Sequence, residues 1–223
     1  MEHLLALVPG YQEGPRIAAV VAGAGRHLPV VVVDDGSTDD TASRAESAGA
    51  TVIRQVPNQG KGAALRAGFR YALEHGADAV VTLDADGQHD PIEIPTFLAA
   101  YEVAHAGLIV GRRDFAAMPP IRRLSNTFGG LLFSAAVGRP IPDNQSGYRL
   151  VGRRLMTELL DSQEAGFAFE VEMIARAIAL DLPIGWVPIR TIYAGEPSHI
   201  RPWAHLTSFL RAARDARRIV RRR

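Results

Sequence analysis

The chain contains no cysteine, and Lys61 is the only lysine among its 25 basic residues. Without cysteine there is no disulfide framework, no thiolate zinc site and no cysteine nucleophile. A reducing cytosol is the simplest home for such a chain. The strong preference for arginine over lysine reads as genome composition. No apolar run reaches the roughly 18–20 residues that cross a bilayer. Met1-Glu2-His3 lacks the positive region of a secretion signal, and the apolar run after it stops at Pro9. The expected location is cytoplasmic, peripheral on the cytoplasmic face of a membrane at most. There is no internal repeat and no low-complexity linker. What is present is ordinary for a globular domain: 223 residues, 47% hydrophobic and 22% charged. That length can bury one large core, and a single α/β domain is the default.

The formal charge is 25 − 24 = +1, and it hides an asymmetry. Residues 201–223 hold eight Arg and one Asp, a local 8 − 1 = +7, which leaves 1 − 7 = −6 for the body. A basic tail suggests an anionic partner, either nucleic acid or an acidic membrane surface. The tail reads as a helix from Pro202. Trp203, Leu206, Leu210, Ala213 and Val220 form an apolar stripe, and Arg211, Arg214, Arg218 and Arg221 a basic one. Such a helix suits an anionic lipid interface; packing on its own domain with a solvated basic face is the equal alternative.

Short apolar runs alternate with helical patterns. Leu4–Val8, Val30–Val33, Thr51–Val56, Ala79–Leu83 and Leu108–Val110 read as strands buried on both faces, as parallel sheets require. Between them, Pro15–Arg26, Thr38–Ala48, Gly62–His75 and Pro91–Val103 read as helices. In the second half, Pro119–Val137 is a helix with Leu124, Phe128, Leu131 and Ala135 along one face. Ala168–Leu180 is another, and Ile184–Tyr193 a last strand. The βαβα alternation predicts a doubly wound, mostly parallel sheet flanked by helices, with ligands at the carboxyl ends of the strands.

Three clusters fall at those ends: Pro9-Gly-Tyr-Gln-Glu13, Asp34-Asp-Gly-Ser-Thr-Asp39 and Asp84-Ala-Asp-Gly-Gln-His89. Parallel strands would bring all three to one edge. Asp84 and Asp86 are two apart, so both carboxylates can point the same way. Carboxylate and amide oxygens suit a hard divalent ion, Mg²⁺ or Mn²⁺ bound to a diphosphate, with Gln88 adding a neutral oxygen. Taken alone, Asp34-Asp35-Gly36-Ser37 is first of all a turn. Asn58-Gln-Gly-Lys-Gly62 is not a Walker loop, because Gln55 occupies the first glycine position and Gly62 follows the lysine. Asp143 is a candidate base or acceptor contact, with a turn residue as the alternative. A helix sets Glu170 and Glu172 about 200° apart, so only one can face a site and the other is expected in solvent. Arg112, Arg113, Arg122, Arg123, His199 and Arg201 are the cations that could meet a diphosphate.

Six segments in this order resemble the inverting family-2 glycosyltransferases of the GT-A fold, in the branch around dolichyl-phosphate mannose synthase and bacterial polyprenyl-phosphate sugar transferases. They are Pro9–Glu13, Val33–Ser37, Asn58–Gly62, Asp84–His89, Gly111–Arg113 and Ser146–Arg149, and the resemblance runs from about Leu4 to Arg201. It implies a single glycosyltransferase domain over 1–200, with a nucleotide-binding half near 1–112 and an acceptor half near 113–200, followed by the basic helix over 201–223. It also implies that Pro9, Tyr11, Glu13, Val33, Asp35 and Lys61 hold a nucleotide sugar bordered by Asp84, Ala85 and Asp86. Asp86 and Gln88 would bind Mg²⁺ or Mn²⁺. Arg113, Arg123, His199 and Arg201 would contact donor diphosphate or acceptor phosphate. The catalytic set is then Asp84, Asp86, Arg113 and Asp143.

Two positions depart from the family pattern: Gln12 stands where Asn is usual, and Gly14 where a second acid is usual. His199 also stands where Lys is frequent, so its charge there depends on pH. The segment carries neither the C-terminal transmembrane helices of many relatives nor a Gln-x-x-Arg-Trp motif, which disfavours polymer synthesis. The expected reaction moves a sugar from a UDP- or GDP-sugar to a polyprenyl or dolichyl phosphate. A soluble hydroxyl acceptor, for which Asp143 would be the base, and a noncatalytic nucleotide-sugar sensor are the alternatives. A sugar nucleotidyltransferase would want a Gly-rich first loop, and a haloacid-type phosphatase would carry its aspartates on the first strand. No nucleic acid is expected as partner.

Overall fold

The computed structural model describes residues 2–118, 120–166, 168–190 and 202–221. Seven strands form one sheet: β1 (Leu4–Gly10), β2 (Val30–Asp34), β3 (Thr51–Arg54), β4 (Ala79–Thr82), β5 (Leu108–Arg113), β6 (Arg149–Gly152) and β7 (Ile184–Ile189). Their spatial order is β3-β2-β1-β4-β6-β5-β7. β1 runs parallel to β2 and β4, β2 to β3, and β5 to β7, while β6 runs antiparallel to both β4 and β5. The sheet is therefore mostly parallel, as the alternation predicts.

The uninterrupted apolar strands make sense because both faces are covered. Leu5, Leu7, Val31, Val33, Val80, Leu108 and Val110 enter one core. Their neighbours Ala6, Val8, Val30, Val32, Ala79, Val81 and Ile109 enter the other. Successive side chains alternate between faces, so a strand with helices on both sides must be apolar throughout. The second core is closed by α1 (Gly14–Ala24), α2 (Thr41–Ser47) and α4 (Ile94–Ala104). The first is closed by α3 (Lys61–Glu74), α5 (Pro120–Val137), α6 (Arg153–Leu159), α7 (Ala168–Ala179) and α8 (Pro202–Arg221). On α3, Leu65 and Phe69 are buried and Leu73 packs beside them, the stripe expected from its spacing.

β6 and α6 are absent from the sequence reading. β6 offers only Leu150 and Val151 as an apolar signal and opens on Arg149, whose guanidinium is fully buried. Arg149 Nε donates to the Ser146 carbonyl at 2.7 Å, and its other nitrogens donate to the Glu170 and Asn144 carbonyls. A charged residue that reads as a strand breaker is thus tied into the loops on either side. Ile184–Tyr193 is a strand to Ile189, and its end lies outside the described residues.

Burial divides two of the predicted apolar faces. On α5 the predicted face, Leu124, Phe128, Leu131 and Ala135, is exposed; Phe133 and Val137 fill the core instead. On α8, Leu210 is half exposed, whereas Ala213 and Ala216 are buried and Val220 is partly so. The side chains of Trp203 and Leu206 lie outside the described residues. α8 packs on α5 and α7, so at least its described apolar side belongs to its own domain.

Phe69 is fully buried, with its ring 6.2 Å from that of Phe169, and it links α3 to α7 across the first core. Phe69→Ala is expected to cost about 3–5 kcal/mol in urea unfolding, because the neighbouring rings cannot collapse into the space.

Candidate active site

The three acidic clusters do meet at one edge, where β1, β2 and β4 end. They line an open cleft of about 380 Å³ bounded by Pro9, Gly10, Tyr11, Glu13, Asp35, Asn58, Gly60, Lys61, Asp84, Ala85 and Asp86. A larger cavity, about 540 Å³, opens elsewhere between Asp78, Tyr101, His105 and Arg153 and contains none of the clusters.

The aspartates of the second cluster serve the backbone. Asp34 Oδ1 accepts the Ser37 amide at 3.0 Å, closing the turn that Asp-Gly announces. The Asp35 carboxylate accepts the amides of Gln59 at 2.8 Å and Gly60 at 2.7 Å. These amides open α3, so the anion at this helix N-terminus is the protein's own carboxylate. Gly60 has φ +93°, and a Cβ there would strike the Ala165 carbonyl. Only glycine lets this loop adopt its conformation. A Cβ at Gly14 would meet the exposed Asp40 carboxylate, which would have to swing aside to admit the acid usual at that position. Val33 is buried in the first core and does not line the cleft.

α3 begins with Lys61, and this single lysine is the centre of the site. Its Nζ lies 2.5 Å from Asp84 Oδ1 and 2.7 Å from Glu170 Oε1. Burial opposes the charged form of Lys61, but the two carboxylates overcome it and raise its pKa. Burial likewise opposes ionisation of Asp84, yet the Lys61 ammonium holds its carboxyl down at about 2. A Cβ on Gly147 would lie 2.9 Å from Asp84 Oδ1 and 3.0 Å from Glu170 Oε1, so the two carboxylates crowd around that glycine.

Asp86 has the opposite environment. Burial pushes its pKa up, and the Asp84 and Glu13 carboxylates add to this, opposed by the Gln88 amide donating to Oδ1 at 2.9 Å. A carboxylate held reluctantly ionised among other carboxylates is suited to a cation. Among the described residues no three His, Asp or Glu side chains converge on one point. The all-oxygen set around Asp86 therefore fits a divalent ion that also draws ligands from a diphosphate. His89 is not available to such an ion through Nδ1, which accepts the Asp84 amide at 3.0 Å. Its burial lowers the pKa to about 4, so its 3.7 Å approach to Asp84 is no ion pair at neutral pH.

Arg113, the last residue of β5, forms a fork with Asp143. Nε lies 2.8 Å from Oδ2 and Nη2 2.9 Å from Oδ1. Asp143 also accepts the amides of Arg113, Gln145 and Ser146. The guanidinium is close enough to help lower the pKa of Asp84, so it faces the same site. Arg123 is exposed on α5, while His199 and Arg201 lie outside the described residues.

The sequence model of the family "Glycosyl transferase family 2" matches residues 6–160, more than half of the chain. The chain belongs to glycosyl transferase family 2. An undecaprenyl-phosphate mannosyltransferase of Micrococcus luteus is 32% identical over 202 residues, covering 84% of this chain and 82% of that protein. A polyprenol monophosphomannose synthase of Mycolicibacterium smegmatis is 30% identical over 210 residues, covering 84% and 77%. Among solved structures, glucosyl-3-phosphoglycerate synthase of Mycobacterium tuberculosis, in a complex with Mn²⁺, UDP-glucose and phosphoglyceric acid, superposes with a TM-score of 0.76. It is 20% identical and covers 97% of this chain and 80% of that one, a likeness of fold.

Two residues of this glycosyltransferase have roles that the sequence does not assign. Glu170 is the member of the 170/172 pair that faces the site, buried against Lys61. The expected solvated partner, Glu172, is instead held by Arg176 Nε at 2.6 Å and by the Ser162 hydroxyl at 2.7 Å. Arg149, in the sequence only the end of a motif, is the buried tie between the Ser146, Glu170 and Asn144 carbonyls. The feature that selects Glu170 is the burial of Lys61, since a buried lysine needs an acidic partner.

Lys61→Met strands two carboxylates and is expected to lower stability at pH 7 by about 2–3 kcal/mol, less than for a fully buried pair because Asp84 is partly exposed. Asp84 ionisation stabilises the fold above 3.8 and ceases to do so near pH 2. The deficit of the variant in urea titrations should therefore shrink across that window. Asp86→Asn has the reverse sign. Because the Asp86 pKa is raised by folding, the variant should melt at higher temperature at pH 7, and the gain should vanish below pH 3.8, where the unfolded carboxyl is protonated too.

Proposed function

We propose that this glycosyltransferase moves a sugar from a nucleotide diphosphate sugar to a polyprenyl phosphate with inversion at the anomeric carbon. The cleft supports the donor half. Pro9, Tyr11, Glu13 and Asp35 border the nucleoside; Lys61, Asp84, Ala85 and Asp86 border ribose and diphosphate. Asp86, with Gln88 beside it, would hold Mg²⁺ or Mn²⁺. When bound, such an ion neutralises charge on the departing diphosphate. Glucosyl-3-phosphoglycerate synthase complexes that hold UDP with Mn²⁺ or Mg²⁺ support this choice.

The observation that carries the acceptor is the state of Asp143. Its oxygens are occupied by the Arg113 fork and by backbone amides, and it is buried. A hydroxyl acceptor needs a base to take its proton, whereas a phosphate monoester is anionic at neutral pH and needs none. Asp143 is better suited to orient Arg113 than to receive a proton. Arg113 then presents a rigid cation where negative charge gathers as the glycosidic bond breaks. Arg123, His199 and Arg201 remain the proposed contacts of the acceptor phosphate. The two relatives named for polyprenyl or undecaprenyl phosphate support the same acceptor. A lipid-phosphate acceptor would place the reaction at a membrane face; among the described residues no helix is long and apolar enough to cross a bilayer.

The alternative, a soluble hydroxyl acceptor, draws on the fold neighbour that takes phosphoglyceric acid. Transfer assays with UDP- and GDP-sugars, with Mg²⁺ or Mn²⁺, and with polyprenyl phosphate or phosphoglyceric acid separate the two. Metal-dependent product on the lipid, reduced at least about a hundredfold in Asp86→Ala, is the expected result. Product only on the soluble acceptor would move the acceptor class, and donor binding without turnover on either would point to a sensor.

A further inference from the structure

α5 carries no acidic residue and α8 only one, and the two helices pack against each other. α5 exposes Leu124 at 74%, Phe128 at 51% and Leu131 at 66%. These stand at i, i+4 and i+7, so they form one continuous strip. The opposite side of α5, with Phe133 and Val137, is buried in the core. α8 does the reverse among its described side chains. Ala213 and Ala216 face inward, while Arg211, Arg214, Arg217, Arg218 and Arg221 are exposed. Its one acid, Asp215, lies between Arg214 at 3.5 Å and Arg218 at 3.6 Å. Leu210, half exposed, adds to the apolar surface of the pair.

We propose that α5 enters an anionic lipid surface through Leu124, Phe128 and Leu131, while the α8 arginines hold the headgroups. An exposed apolar strip beside a dense basic row matches the two layers of such a surface: acyl chains below, phosphates above. Charge decides against a second copy of this chain as the occupant. A two-fold contact through this face would bring the arginine rows of both copies together. The purpose of the docking rests on the lipid-phosphate reading above; the binding itself does not. α5 lies in the 114–142 excursion, whose two ends are joined by the Arg113–Asp143 fork. Docking α5 therefore anchors the chain through a segment that starts and ends at the Arg113–Asp143 fork.

The test is flotation of the full chain with vesicles of phosphatidylcholine, with and without phosphatidylglycerol. The wild type should bind the phosphatidylglycerol vesicles and be released by salt. Phe128→Asp combined with Leu131→Asp should weaken binding by about tenfold or more, with unchanged circular dichroism. Arg211→Gln with Arg217→Gln and Arg221→Gln should remove the preference for phosphatidylglycerol and leave weak binding to both vesicle types. Undiminished flotation of the double Asp variant overturns the proposal, as does indifference of the wild type to anionic vesicles. Sedimentation velocity showing a wild-type dimer that the Asp variant dissolves would assign the strip to self-association and overturn it too. Calorimetric binding of UDP- and GDP-sugars without vesicles is read in parallel. Its absence in the wild type would sink the glycosyl-donor reading and leave the vesicle result standing.

Discussion

The site is organised around one buried charge. Lys61 opens α3, Asp84 follows β4, and Glu170 stands in the first turn of α7, so a single ammonium draws together three elements far apart in the chain. Removing an ammonium and two carboxylates from water is tolerable only while each carboxylate is paired with the cation. The neighbourhood is shaped to allow that approach. Gly60 clears the Ala165 carbonyl, Gly147 leaves room for both carboxylates, and Arg149 ties the Glu170 carbonyl to the loop before β6. The result is a cleft floor in which Asp84 stays ionised and Lys61 stays charged at neutral pH.

Around that floor, similar carboxylates receive different tasks from their surroundings. Asp34 and Asp35 hold a turn and a helix start. Asp143 is committed to Arg113 and to the amides that follow it. Asp84 is neutralised by Lys61. Asp86 is pushed away from ionisation by burial and by like charges, and it is the acid of this group best placed to gain from an incoming cation. The same division underlies the proposed phosphate acceptor: Asp143, the candidate base for a hydroxyl, is already occupied by donors.

The two helices beyond the cleft show how little amphipathicity says about direction. On α5 the apolar residues at i, i+4 and i+7 point outward, and Phe133 and Val137, which break that spacing, point inward. On α8 the described small residues face the body, and the arginines are left outside. A periodic pattern identifies a face; what covers the face depends on where the sheet ends and which neighbour arrives.

Much was legible in the chain itself. Alternation of apolar strands with helical stripes determined a mostly parallel sheet, because strands such as Val30–Val33 tolerate no other environment. The turn chemistry after β1, β2 and β4 located the cleft, since parallel strands place their ends at one edge. The order of the six motifs determined the family. These are local features, set within a few residues of one another. The tertiary structure decided the rest: that Arg149 begins an antiparallel strand, that Glu170 rather than Glu172 meets Lys61, that Asp143 holds Arg113, and that the strip on α5 faces outward. Each depends on which segments, tens of residues apart, are brought within a few ångströms. Charge pairing and burial are properties of that proximity, and no spacing along the chain encodes them.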